Sequence, residues 1–271
     1  MKTRVIVGVI LAALLITTLY FGGFFYLTAI ALVSFAATYE VAHVITRKGY
    51  RPLVFPVYLF ALAYPFVYRF FGVTVLVIFF LFSIILSICC SVFSGSTDAT
   101  IAVGTLLLYV YPLSLLLCML LVYAHFERPI GLTAACMAFA APSCADMFAY
   151  FGGTFFGRHK LCERISPKKT VEGAIFGLIG GVVFALILMP LQSLWGSDVS
   201  WWLLLVLGVL CGLFGQIGDL FASIIKRWAN VKDFSSVFPG HGGMMDRIDS
   251  VLLCTPIVLC TFTILQLFGI Y

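Results

Sequence analysis

The sequence predicts an all-α, polytopic integral membrane protein with about nine transmembrane helices. Three observations predict it. Hydrophobic residues make up 63% of the chain and charged residues only 10%, far outside the range of soluble globular domains. Apolar runs long enough to cross a bilayer follow one another along nearly the whole length. All 16 Lys and Arg residues fall outside these runs or at their ends.

The runs cover residues 5–21, 24–42, 53–68, 73–91, 100–123, 130–157, 171–191, 201–226 and 246–268. The first follows Lys2 and Arg4 with no small-residue cleavage site behind it, so it reads as a retained span rather than a signal peptide. Gly22-Gly23 turns the chain into the second. If these two form a re-entrant pair, the count falls while the basic loops keep their side. Glu40, His43, Arg47 and Lys48 close the second run and read as a solvated interfacial face. Arg69 separates the third from the fourth, and Asp98 is placed to cap the fifth. His125, Glu127 and Arg128 form a short loop before the sixth, which carries Asp146 and, four residues on, Tyr150. In the loop that follows, His159 reads as a surface residue. Ser166 or Thr170 caps the seventh, where Glu172 suits the first turn. Trp195, Trp201 and Trp202 fit an interfacial aromatic belt before the eighth.

Orientation follows from the basic residues. With the N-terminus cytoplasmic, one side receives fourteen Lys and Arg and the other only Arg69 and Arg128. The positive-inside rule then puts the loops around 158–170 and 228–245 in the cytoplasm and the C-terminus outside. The protein is expected in the cell (inner) membrane with its working face toward the cytoplasm. The nine cysteines lie mostly within apolar spans, with no C-x-x-C pair near histidine, so they read as buried inert thiols rather than a zinc site. No linker, repeat or low-complexity segment divides the chain. Residues 1–271 read as one membrane domain, with 1–130 mainly scaffold and 131–271 the catalytic half. Gly173, Gly177 and Gly181, and again Gly208 and Gly212, recur at four-residue spacing. This allows close helix packing, within the chain or against a second subunit in a homodimer.

Charge gathers in one stretch, from Gly218 to Ser250, which holds Asp219, Asp233, Asp246 and Asp249, the cations Lys226, Arg227, Lys232 and Arg247, and His241. Charged side chains at membrane depth are costly and mark function. Gln216, Asp219, Ser223, Lys226 and Arg227 form one polar stripe of the eighth helix at about 100° per residue. Asp246 and Asp249, three apart, share a helical face. The run Pro239-Gly240-His241-Gly242-Gly243 precedes a helix N-terminus, whose backbone amides are expected to face an anion. Carboxylates without cysteine suit Mg²⁺ or Mn²⁺, so Asp219, Asp246 and Asp249 are the candidate ligands for one metal ion or two. Lys168 and Lys169 bind either nucleotide phosphates or anionic lipid.

At these residues the chain resembles the CDP-diacylglycerol synthases, or phosphatidate cytidylyltransferases. The resemblance rests on S-x-x-K-R (Ser223, Lys226, Arg227), then Lys232-Asp233, then H-G-G-x-x-D-R-x-D (His241, Gly242, Gly243, Asp246, Arg247, Asp249). It extends to the Asp146/Tyr150 segment and to Ser166-Pro167-Lys168-Lys169-Thr170 with Glu172-Gly173. It implies a polytopic helical fold, a Mg²⁺ requirement, and transfer of the cytidylyl group of CTP to phosphatidic acid. Asp219, Asp246, Asp249, Lys226, Arg227 and Lys232 are then expected at the reacting phosphates. Ser223, Asp233, His241, Gly242, Gly243, Arg247, Asp146, Lys168, Lys169, Thr170 and Glu172 are expected around the substrates. The partners implied are CTP, phosphatidic acid and membrane lipids, with no nucleic acid. A CTP-dependent polyprenol or lipid kinase is the alternative. A cation transporter fits less well, because the polar residues gather at one side instead of lining a complete path.

Overall fold

Apolar runs punctuated by glycine, proline and charge fold as helices almost end to end in the computed structural model, which describes residues 2–238, 240 and 242–269. The helices are α1 (Lys2–Phe21), α2 (Gly23–Thr46), α3 (Val54–Phe93), α4 (Ala99–Leu108), α5 (Ser114–Ala124), α6 (Arg128–Phe156), α7 (Val171–Gln192), α8 (Trp201–Trp228) and α9 (Met245–Phe268). A π-helical turn at Tyr109–Leu113 joins α4 to α5. The expected caps are in place: Asp98 Oδ1 accepts from Thr100 N at 2.9 Å, and Thr170 Oγ1 accepts from Gly173 N at 3.1 Å.

Among the described residues, seven helices are long and apolar enough to cross a membrane, where the sequence predicts about nine. The difference lies at two places. The third and fourth expected spans run on as the 40-residue α3, broken only by Gly72 at φ 79° and ψ −177°. One glycine in the left-handed region redirects the helix without a loop. At the N-terminus, the described apolar stretch Val7–Phe21 is shorter than the other spans.

The chain packs as two compact units: residues 1–117 with 228–247, and 118–227 with 248–271. The segment before α9 belongs with the N-terminal helices. In the first unit, α2, α3 and the π-turn bury Ile30, Val41, Ile45, Phe60, Tyr64, Leu76 and Tyr109. Buried hydroxyls tie these helices together. Tyr64 donates to Leu116 O at 3.1 Å and bonds Ser34 Oγ at 2.8 Å, while Tyr109 OH lies 2.5 Å from Ser83 Oγ. Interhelical bonds of this kind contribute about 0.6–2 kcal/mol each.

In the second unit the glycine stripes set the spacing. A Cβ on Gly181 would strike the carbonyl oxygen of Gly208, and one on Gly208 would strike that of Gly181, so α7 and α8 cross backbone to backbone. The stripe thus packs this chain's own helices. Between α6 and α7 the chain forms a hairpin, β1 (Lys160–Cys162) antiparallel to β2 (Ser166–Thr170), with Lys160 opposite Thr170. The sequence predicts only a loop there. Ser166–Thr170 lacks the alternating apolar pattern of a strand, and the hairpin is held instead by polar bonds: Lys160 Nζ to Pro167 O at 2.7 Å and Val171 N to His159 O at 2.9 Å.

Candidate active site

In the second unit, four elements bring acids and lysines together. Lys169, near the end of β2, puts Nζ 2.6 Å from Asp219 Oδ2 on α8, with side chains 23% and 30% exposed. Asp146 of α6 lies within the electrostatic reach of both Asp219 and Lys169, and its carboxylate accepts from the Ser250 hydroxyl. Asp249 of α9 is buried, with Oδ2 3.8 Å from Lys226 Nζ, and feels the charges of Asp219 and Asp146. The backbone makes this possible at Gly218, where an added Cβ would meet the Asp249 carbonyl oxygen. The helix therefore approaches α9 one residue from Asp219. Three carboxylates here face two ammonium groups in partial burial, where charges are little screened.

Gln216, expected on the same stripe, is a packing residue. Its amide nitrogen donates to Ala174 O at 3.1 Å and Gly212 O at 2.9 Å. Ser223 is half-buried, while Lys168 and Arg227 are exposed. Arg227 Nε donates to Ile165 O at 3.3 Å, reaching the hairpin turn. Thr170 caps α7, and Glu172 holds the base of the hairpin. Its carboxylate accepts from the amides of Arg158 at 3.1 Å and His159 at 3.2 Å, and lies 2.6 Å from His159 Nδ1. His159 is exposed, as expected of a surface residue, yet it is anchored.

The first unit contains the glycine loop of the signature. His241, with Pro239, lies outside the described residues. Lys232, Asp233 and Arg247 are exposed. Gly242 has φ +81°, which L-residues rarely adopt, and a Cβ there would approach Asp246 Oδ2 at 2.8 Å. Asp246 is buried, and its Oδ2 accepts from Phe234 N at 2.8 Å and Gly243 N at 2.9 Å.

Two expectations are corrected in this loop. Glu40 is not part of a solvated face. It is 2% exposed and accepts from Ser235 Oγ at 2.6 Å, Met244 N at 2.8 Å and Met245 N at 2.8 Å. At the start of α9, the amides of Gly243, Met244 and Met245 are not open to an anion, because they donate to protein carboxylates. The signal for Glu40 was present in the sequence. It falls at helical spacing among Ala37, Val41, Val44 and Ile45, the buried stripe of α2, whereas His43 and Arg47 face outward.

Among the described residues, no three His, Cys, Asp or Glu side chains converge as a self-sufficient metal cage. The donors in the acid cluster are nonetheless all carboxylate oxygens. They fit Mg²⁺, which binds through one or two carboxylates and completes its shell with water and substrate phosphate.

The cytidylyltransferase family model matches residues 2–265, so the chain belongs to the cytidylyltransferase family. It is 39% identical to a phosphatidate cytidylyltransferase of Staphylococcus saprophyticus over 136 residues, 50% of this chain and 51% of that protein. A phosphatidate cytidylyltransferase of Synechocystis is 40% identical over 139 residues, 50% of this chain and 45% of the relative. One of Chlamydia muridarum is 36% identical over 175 residues, 64% of this chain and 56% of the relative. The matched part of the chain spans about half the length of these relatives.

Proposed function

We propose that this cytidylyltransferase-family protein transfers the cytidylyl group of CTP to phosphatidic acid, yielding CDP-diacylglycerol and pyrophosphate. The observation that carries the reading is the gathering of Asp146, Asp219 and Asp249 with Lys169 and Lys226 from α6, α8, α9 and β2. An apolar protein tolerates such a cluster only where it has work to do. The names of the relatives support the same reaction.

In the proposed reaction, a phosphate oxygen of phosphatidic acid attacks the α-phosphorus of CTP. The new P–O bond forms as the bond to the bridging oxygen breaks, and pyrophosphate departs with that electron pair. No protein nucleophile is required. Asp219 and Asp249 are assigned to Mg²⁺. Asp246 holds the loop through Oδ2. When bound, the ion supplies neutralisation of phosphate charge and orientation of the triphosphate. Lys169 and Lys226 bring positive charge to the phosphates, as do the exposed Lys168 and Arg227, while Lys232 and Arg247 on the glycine loop are proposed for substrate phosphate by charge alone. Asp146, which interacts with Asp219, Lys169 and Ser250, adds negative charge beside them.

The membrane placement belongs to the same proposal. Cutting α3 at Gly72 leaves two segments of spanning length, and with α1 the chain makes nine crossings. The C-terminal half of α6, the start of α7, the C-terminal half of α8 and the start of α9 then share the cytoplasmic side. CTP reaches them from water while phosphatidic acid keeps its acyl chains in the bilayer. The test is purified full-length protein given phosphatidic acid, Mg²⁺ and CTP labelled separately in cytidine and in the γ-phosphate. Cytidine label in the lipid product is the expected result. Transfer of the γ-label alone shows a lipid kinase and overturns the proposal.

A further inference from the structure

The first unit contains a carboxylate that the signature does not include. We infer that Glu40 is a positioning residue, an anionic clamp supplied by α2 that fixes the Gly242-Gly243 turn and the start of α9. The inference rests on the proposed reaction for its effect on catalysis, though not for its structural part.

The first turn of a helix leaves backbone N–H groups without partners inside the helix. At α9, three consecutive amides are taken by two carboxylates. Asp246, in the first turn itself, reaches back to Gly243 N at 2.9 Å and binds Phe234 N at 2.8 Å. Glu40, two hundred and four residues before Met244, takes Met244 N and Met245 N at 2.8 Å each. Its Oε1 also accepts from Ser235 Oγ at 2.6 Å, so a single carboxylate holds both ends of the segment 235–245. Negative charge at this position is also favoured by the helix dipole. A carboxylate at 2% exposure needs compensation, and the three donors supply it.

The arrangement also explains the second glycine of the signature. A Cβ on Gly243 would lie on the Glu40 carboxylate itself. Gly242 is required for its positive φ, and Gly243 for the room that Glu40 occupies. Glu40 and Gly243 are thereby coupled across the sequence, close to Lys232 and Asp233, which precede the held Phe234, and to Arg247, which follows Asp246.

The test is a double-mutant cycle on the full-length protein in detergent, using Glu40→Ala, Gly243→Ala and the double variant, with the near-isosteric Glu40→Gln alongside. Gln retains one acceptor oxygen but turns an NH₂ group toward donors, so it carries the test even where Glu40→Ala fails to accumulate. The first readout, independent of activity, is the rate of tryptic cleavage after Lys232. Glu40→Gln and Gly243→Ala are each expected to raise it at least tenfold, with the double variant no faster than the worse single. The second readout is KM for CTP, expected to rise at least fivefold in Glu40→Gln. A merely structural role would reduce the amount of active protein and leave KM unchanged. Wild-type cleavage in Glu40→Gln, or multiplicative effects in the double variant, overturns the clamp. Wild-type protein without cytidylyl transfer overturns the proposed reaction instead, and the cleavage cycle still decides the role of Glu40.

Discussion

Asp219→Asn separates the chemistry of the acid cluster from its contribution to the fold. The substitution keeps the shape of the side chain and removes its charge, leaving Lys169 without the partner it holds at 2.6 Å. An exposed ion pair is worth about 0–1 kcal/mol and breaking a buried one costs about 3–5 kcal/mol. With these side chains 30% and 23% exposed, the loss lies between, at about 1–2 kcal/mol. Asp146 limits the damage, because it already interacts with Lys169 and remains to balance it. The effect on turnover is of another order. A unit charge acting at about 4 Å in an effective dielectric of about 20 is worth about 4 kcal/mol. Under the proposed reaction, removing it from the cation that accompanies the phosphates corresponds to a loss of about 10³-fold in rate. The assay is cytidylyl transfer to phosphatidic acid by purified variant, with thermal unfolding followed on the same sample. A modestly lowered melting temperature with turnover down about a thousandfold is expected. Turnover within tenfold of wild type at saturating Mg²⁺ would refute the assignment of Asp219 to the reaction.

Other predictions follow from separate features. Gly181→Val drives a branched side chain into the Gly208 carbonyl, so it should lower stability by about 1–3 kcal/mol; unchanged thermal unfolding would show that α7 and α8 do not cross this closely. Cysteines placed at the exposed positions Glu163 and Ser236, in a background cleared of accessible thiols, should resist an impermeant maleimide in intact cells and react after lysis. Labelling before lysis would reverse the orientation. With CTP carrying a chiral thiophosphate at the α-position, a single displacement inverts configuration; retention, or a cytidylyl adduct on Ser223, would establish a covalent intermediate.

The parts of this architecture that the sequence reveals are those in which a rare residue stands against a uniform background. Asp146, Asp219 and Asp249 are conspicuous because apolar runs surround them, and the structure does bring them together through Lys169 and Lys226. The glycines at four-residue spacing reveal close packing for the same reason, since they carry no other function. Partners distant in sequence are harder to read. Glu40 is followed within eight residues by His43, Arg47 and Lys48, and that composition resembles an interface. Only the apolar stripe formed by Ala37, Val41, Val44 and Ile45 places it inward. The hairpin at 160–170 is invisible to patterning because its strands are ordered by lysine and main-chain bonds rather than by an apolar face. At Gly72 the chain bends on a single glycine, inside the gap between the third and fourth expected spans that Arg69 marks, and no loop forms there.

The two kinds of carboxylate in this protein differ in what they are free to do. Glu40 and Asp246 are bonded to main-chain amides. A ligand cannot claim those oxygens without leaving an N–H group unpaired in a buried place, at a cost of about 1–3 kcal/mol per donor. Such acids resist exchange and therefore act as fixtures. Asp219 faces the Lys169 ammonium at the end of a long, rotatable stem, and Asp249, whose Oδ1 accepts from Ser250 N at 2.8 Å, turns only Oδ2 toward Lys226. A lysine can turn from a carboxylate to an incoming phosphate and remain satisfied, and the carboxylate it leaves then accepts a cation that accompanies that phosphate. Under the proposed reaction, Lys169 and Lys226 thus serve two states of one site, balancing the acids before nucleotide binds and the phosphates afterwards. The loop has acids whose oxygens are held by its own amides, whereas Asp219 and the Oδ2 of Asp249 carry the exchangeable charge that the proposed reaction needs. The partner of each acid, more than its position in the sequence, tells which task it performs.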